Sequence, residues 1–234
     1  MKRLFHRTVS VWKREEGASG LLVFLVVNLF VVPFLRSWFP NLAPASTVAL
    51  VLLFIVGVLV VFQSAWAKVV ACLFAGTAIA LEVARLVVGG DPFGPWRVGA
   101  SCATIGLFAI VTLFRVFAPG PVTTYRLVGA VAAYLLVGLA FALAYEWLEL
   151  VQPGSFQAGI RPTEGAYPTI LYFSFVTLST VGYGDVTPLS QQARALANLE
   201  SLVGVLYPAV LIGRLLSMQG SGGTPPSGGE PGEP

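Results

Sequence analysis

The chain has 234 residues, 56% of them hydrophobic and 11% charged, against about 45–50% apolar and roughly 25% charged in a soluble domain. This excludes a water-soluble single domain, and it excludes a disordered chain for the opposite reason; the bilayer is the expected solvent. The net charge of +3 forms no basic patch interleaved with aromatics, so nucleic acid is not an expected partner.

Residues 1–16 hold the densest basic cluster, Lys2, Arg3, Arg7, Lys13 and Arg14, and are expected to stay cytoplasmic. Six apolar runs follow, at 17–35, 43–62, 69–88, 98–118, 127–147 and 193–217. Each is close to the roughly 20 residues that cross a hydrocarbon core. Pro33 kinks the first run, which is read as a span and not as a cleaved signal. Six crossings return the C-terminus to the cytoplasm, and the expected location is the plasma (inner) membrane. Cys72 and Cys102 lie inside apolar runs and read as small packing residues, too few for a disulfide framework or a zinc site. The end, residues 219–234, is Gly- and Pro-rich with no core-forming residue, hence an expected disordered tail, too short for a folded cytosolic domain.

Between the fifth and sixth runs lies a segment too short to span. Residues 168–179, PTILYFSFVTLS, rise about 18 Å as a helix at 1.5 Å per residue, roughly half a bilayer core. The segment therefore reads as a re-entrant helix. Pro168 suits its first turn, where a missing N–H is harmless. At once there follows Thr180-Val181-Gly182-Tyr183-Gly184-Asp185.

That string, behind Thr177-Leu178-Ser179 and between two spans, resembles the selectivity filter of tetrameric potassium channels, for which TVGYG is the established sequence. The likeness covers about residues 125–217. It implies an all-α integral membrane fold: six transmembrane helices, a re-entrant pore helix and filter loop between spans five and six, and a fourfold homotetramer in membrane lipid. The expected units are a four-helix domain at 17–118 and a pore domain at 122–218. The resemblance implies that K+ is held by carbonyls of Thr180, Val181, Gly182 and Tyr183, with Gly184 completing the loop. The physics agrees. Bare K+ needs oxygens in place of its hydration shell, and glycine reaches positive φ without a Cβ clash, so Gly182 and Gly184 can turn successive carbonyls to one axis. K+ is cargo, and no cofactor is expected.

Several positions depart from the family pattern. Tyr172 and Phe173 stand where many members carry a tryptophan pair, and Val176 where some carry a glutamate. Tyr172 is expected to bond Asp185 in its place, and Thr177 to support the filter from the helix. Glu146, Glu149 and Glu164 are expected in the outer loop, as mouth charges or solvated groups. Span six contains Asn198 and Glu200. An ionisable group inside a span is a functional candidate, and Glu200 is expected to hydrogen-bond the pore helix. Gly204, Pro208 and Ile212 are the candidate gate and hinge.

The fourth run carries Arg115 as its interior charge, whereas voltage sensing needs about 3–4 gating charges per subunit. Strong voltage gating is therefore not expected. Glu82 and Arg85, i,i+3 on the third run, should pair. Neither paired catalytic carboxylates nor a Walker or GxSxG string is present, so an enzyme is not expected. The leading function is a passive potassium-selective channel. The alternative is a non-selective monovalent cation channel on the same scaffold.

Overall fold

The computed structural model describes residues 19–32, 34, 38, 43–61, 65–88, 91–118, 123–157 and 166–220. The basic N-terminus, Pro33, Arg36, Arg161, Glu164 and the tail beyond residue 220 lie outside the described residues. The described chain is helical: α1 (Ser19–Val31), α2 (Ala43–Val61), α3 (Ala65–Val88), α4 (Gly94–Val116), α5 (Thr124–Val151), α6 (Ala166–Leu178) and α7 (Gln191–Gly220). The last turn of α1, Val27–Val31, winds as a π-helix, with Val32 N–H reaching back to the Val27 carbonyl. The one β-type pairing among the described residues is an isolated antiparallel bridge, Phe156 to Pro188.

Among the described residues, four helices are long and apolar enough to cross a membrane: α3, α4, α5 and residues Gln191–Arg214 of α7. The chain is thus an integral membrane protein. Several helix boundaries fall earlier or later than the apolar runs suggest, two of them for an evident local reason. Helix α4 begins at Gly94, with Pro95 in its first turn, where a residue without an N–H fits; this brings Arg97 into the helix. Helix α5 runs on to Val151 because Glu149 turns inward and caps the following loop.

Helix α5 is the hub, packing along α4 on one side and against α6 and α7 on the other. Its buried faces are rich in small residues, among them Ala130, Ala132, Ala133, Gly138 and Ala142, which let backbones approach where the hydrophobic effect cannot drive association. Between α2 and α4 the same device recurs: Gly57 makes room for the fully buried Phe108 ring.

A polar tie joins the two halves of the chain. Arg97 on α4 meets Glu82 of α3 at 3.0 Å, Asp91 at 2.9 Å and Glu146 of α5 at 3.9 Å. The expected Glu82–Arg85 pair is present at 3.5 Å, but the shorter contact of Glu82 is to Arg97.

Candidate ion-conduction site

Helix α6 ends in a chain reversal that uses its own terminal carbonyls. A helix leaves its last four C=O groups without intrahelical partners. Here Ser179 N–H donates to Phe175 O (3.0 Å), Thr180 N–H to Thr177 O (2.9 Å), and Val181 and Gly182 N–H both to Val176 O (3.0 and 3.3 Å). The fourth carbonyl, Leu178 O, accepts from the Tyr134 hydroxyl of α5 at 3.2 Å. The filter strand is therefore anchored to the helix tip by its first amides, and its following carbonyls are left available. Val176 contributes its carbonyl to this anchorage, and Thr177 does the same.

Along the filter the sign of φ alternates. Thr180, Gly182 and Gly184 have φ of 60°, 57° and 78°, and no other described non-glycine residue is positive. An alternation of right- and left-handed conformations produces a nearly extended strand whose carbonyls share one side, unlike a β-strand, whose carbonyls alternate. Glycine adopts the left-handed state freely. Thr180 does so at a cost of about 1–2 kcal/mol, a strain the sequence did not announce. The side chains of Val181 and Tyr183 are 51% and 72% exposed in the single chain. Tyr183 stacks parallel to Tyr172, centroids 6.5 Å apart. The Asp185 carboxylate stands near the Tyr172 hydroxyl and accepts from Val186 N–H at 3.1 Å.

Behind the filter, Glu200 is fully buried. Tyr145 Oη donates to its Oε2 at 2.6 Å, and Ser174 Oγ lies 2.5 Å from its Oε1 and 2.7 Å from the Gly138 carbonyl. A serine hydroxyl carries a single proton. With that proton on Gly138 O, the short Glu200–Ser174 contact needs a second one, and the carboxyl group supplies it. The arrangement is satisfied when Glu200 is a neutral acid, donating to Ser174 and accepting from Tyr145. Ser174 lies on α6, the helix Glu200 is expected to bond, whereas Tyr145 lies 55 positions away and carries no local signal.

The pore helix is seated on two glycines. A Cβ at Gly204 would lie 1.9 Å from Leu178 O, and one at Gly138 would lie 2.9 Å from the Phe175 ring. Gly204 is thus required first for close approach to the α6 tip. Pro208 lies inside α7, and as a residue without N–H it leaves unbonded the carbonyl four positions earlier, that of Gly204. Gly204 and Pro208 therefore weaken one turn together. Ile212 is exposed one turn further, and Asn198 is exposed as well. Phe173 turns away from the filter into a cluster with Tyr145 and Phe156, centroids 5.0 and 5.4 Å away.

Two of the outer acidic groups, Glu146 and Glu149, are not solvated mouth charges. Glu149 is buried and accepts from Gly154 N–H (2.8 Å) and Ser155 N–H (2.9 Å). Glu146 sits in the Arg97 network. Both lie within α5: Glu146 falls inside the apolar run itself, and Glu149 follows because the helix continues to Val151. The capped loop is then clasped to the segment after the filter: Leu189 N–H donates to Ser155 O (2.7 Å), Gln157 N–H to Thr187 O (2.9 Å), and Thr187 Oγ1 to Gln157 Oε1 (2.5 Å).

At the opposite end, Tyr207 of α7 donates to Ala130 O (2.7 Å) and stacks on Tyr134 (5.7 Å). Arg214 of α7 and Arg126 of α5 both donate to the Ala118 carbonyl, at 2.6 and 2.8 Å.

A family model described as "Ion channel" matches residues 133–219, from mid-α5 through α6 and the filter to the end of α7. Among curated proteins, the chain is 38% identical over 103 residues to "Two pore potassium channel b" of Oryza sativa subsp. japonica, covering 43% of this chain and 25% of that one. It is 36% identical over 77 residues to "Inward rectifier potassium channel Kirbac3.1" of Paramagnetospirillum magnetotacticum (33% and 24%) and 38% identical over 85 residues to "Protein LctB" of Bacillus caldotenax (35% and 63%). The chain thus spans about a quarter of the first two relatives and less than two thirds of the third. No solved structure matches it significantly. The family-model match spans α5 from residue 133, α6 and α7, and these likenesses indicate an ion channel rather than an enzyme.

Proposed function

We propose that the chain is a potassium-selective channel subunit that conducts K+ passively as a homotetramer. The observation that carries this reading is the alternating φ at Thr180, Gly182 and Gly184 in a loop anchored to the tip of a half-length helix. Such a strand presents consecutive carbonyls on one side, and four copies around an axis replace the water of a dehydrated ion. The family-model match covers this stretch, and two of the similar proteins are named for potassium. The exposed Val181, Tyr183 and Tyr172, with the exposed apolar row Leu202, Val205, Leu206 and Ile212 of α7, offer the surfaces on which copies would pack.

In this reading α1 and α2 complete six spans with both termini cytoplasmic. Residues 17–118 form a four-helix unit that braces the pore domain without sensing voltage: the charges of α4 are Arg97, engaged with three carboxylates, and Arg115 at the far end. A non-selective cation channel on the same scaffold is the second reading. The intact Tyr183 and Gly184 favour selectivity. The test is flux from liposomes holding the purified chain, with reversal potentials in mixed KCl and NaCl. A potential that follows the K+ gradient supports the proposal, and one near zero overturns selectivity. Native mass of anything other than four copies overturns the assembly.

A further inference from the structure

Helix α7 is divided at one weak turn. Pro208 leaves the Gly204 carbonyl without its helical donor, so residues beyond this turn depend on other helices to hold them in place. Along α7, Tyr207, Leu211 and Arg214 recur at i, i+4 and i+7 and are partly buried, whereas Leu202, Val205, Ala209 and Ile212 share the opposite face and are exposed. Tyr207 sits inside the weak turn. Its hydroxyl donates to Ala130 O of α5 at 2.7 Å, using the lone pair that a helical hydrogen bond leaves over. Its ring is fixed on two sides, stacked on Tyr134 with centroids 5.7 Å apart and edge-on to Phe117 at 6.1 Å. Two turns on, Arg214 donates to Ala118 O at 2.6 Å. Tyr134 uses its own hydroxyl on Leu178 O, at the tip of α6. The two stacked tyrosines thus make separate attachments: Tyr134 ties α5 to the pore helix, and Tyr207 ties the lower half of α7 to α5.

We infer that Tyr207 is a latch on the α7 hinge: its hydroxyl on Ala130 O keeps the lower half of α7 against α5, and loss of that bond frees this half to bend at Gly204–Pro208 and close the pore. The inference rests on the tetrameric channel proposed above and deepens it. In that assembly α5 lies outside α7, so the exposed face with Val205, Ala209 and Ile212 is turned away from α5 and toward the other copies. Held on α5, the four apolar faces stay apart. Released, they gain by burying their surface against one another, and an apolar constriction stops conduction by shedding its water. The Tyr134 bond to Leu178 O is untouched by this movement, so the filter keeps its anchor.

The test combines hydrogen exchange of the solubilised full chain with K+ flux from liposomes, for Tyr207→Phe, Pro208→Ala and the two together. Tyr207→Phe keeps the ring and removes only the hydroxyl. It should speed exchange at the amides of residues 209–214 about fivefold, the weight of one net hydrogen bond, with residues 191–200 and α6 unchanged. K+ flux should fall by a similar factor while the K+/Na+ reversal potential stays the same. Pro208→Ala returns an N–H to the Gly204 carbonyl and stiffens the turn. Alone it should slow exchange at 209–214, and in the Tyr207→Phe background it should restore both exchange and flux. Unchanged exchange at 209–214 in Tyr207→Phe, or a rise in its flux, overturns the latch. So does a double variant without recovery, which would reduce the hydroxyl to ordinary packing. Exchange is read without conduction, so a chain whose 209–214 segment loosens and recovers as expected but carries no K+ refutes the channel reading alone.

Discussion

Position 200 shows how much one proton decides. Three oxygens, from Glu200, Ser174 and Gly138, stand in a row at 2.5 and 2.7 Å, and the row closes only with a proton on the carboxyl. A glutamine supplies the same donor and acceptor. Glu200→Gln is therefore expected to unfold within about 0.5 kcal/mol of the parent, whereas Ser174→Ala should lose about 1–3 kcal/mol by stranding a buried partner. Thermal unfolding of the solubilised protein measures both, and a glutamine variant as damaged as Ser174→Ala would mean that the carboxyl is ionised. Gly204 is a steric requirement of the same acuteness. A methyl there meets backbone oxygen at 1.9 Å, which no rotamer change relieves. Gly204→Ala should cost at least about 1–3 kcal/mol and reduce flux, both visible in the same preparation.

At the scale of elements, the pore helix is held by exchanges with its neighbours more than by its own length. Its tip carbonyls are consumed by filter amides and by Tyr134, and its outer end is fixed through the Phe173–Tyr145–Phe156 cluster and the clasp from Ser155 to Leu189. Glu149 is the organising residue of that clasp, since it turns the chain at Gly154, where φ is +86°, and caps two amides. Hydrogen bonds to a charged acceptor contribute about 1.5–3 kcal/mol each. Glu149→Ala is thus expected to open the loop, with faster hydrogen exchange at Gly154, Ser155 and Leu189 and little change in α3 or α4. Exchange spreading evenly over the molecule would deny it this local role.

For the whole molecule, the Arg97 network links α3 and α4 to α5. Its Glu82 carboxylate is 5% exposed, and removing the nearest cation from a buried charge costs about 3–5 kcal/mol. Arg97→Ala should therefore lower the unfolding temperature markedly. Under the proposed function, the K+/Na+ reversal potential should stay unchanged, because the network touches none of residues 180–185. A shift in selectivity would show that the first four helices shape the filter itself.

Much of this was legible beforehand, because it depends on local chemistry. Hydropathy marks the apolar helices, a twelve-residue run cannot cross a bilayer, and the glycines of Thr180–Asp185 permit a conformation that other residues resist. The pairing of Glu82 with Arg85 follows from helical spacing alone. What the linear order does not carry is which distant groups share a buried volume. Tyr145 and Ser174 meet Glu200 across 55 and 26 positions. Glu149 leaves the expected loop because α5 continues and turns it inward, and Glu146 is drawn into the Arg97 network. Gly204 matters for a carbonyl on another helix. These are decided by close packing, in which small residues set how near two backbones come and each buried polar atom must then find its partner wherever the fold has placed one.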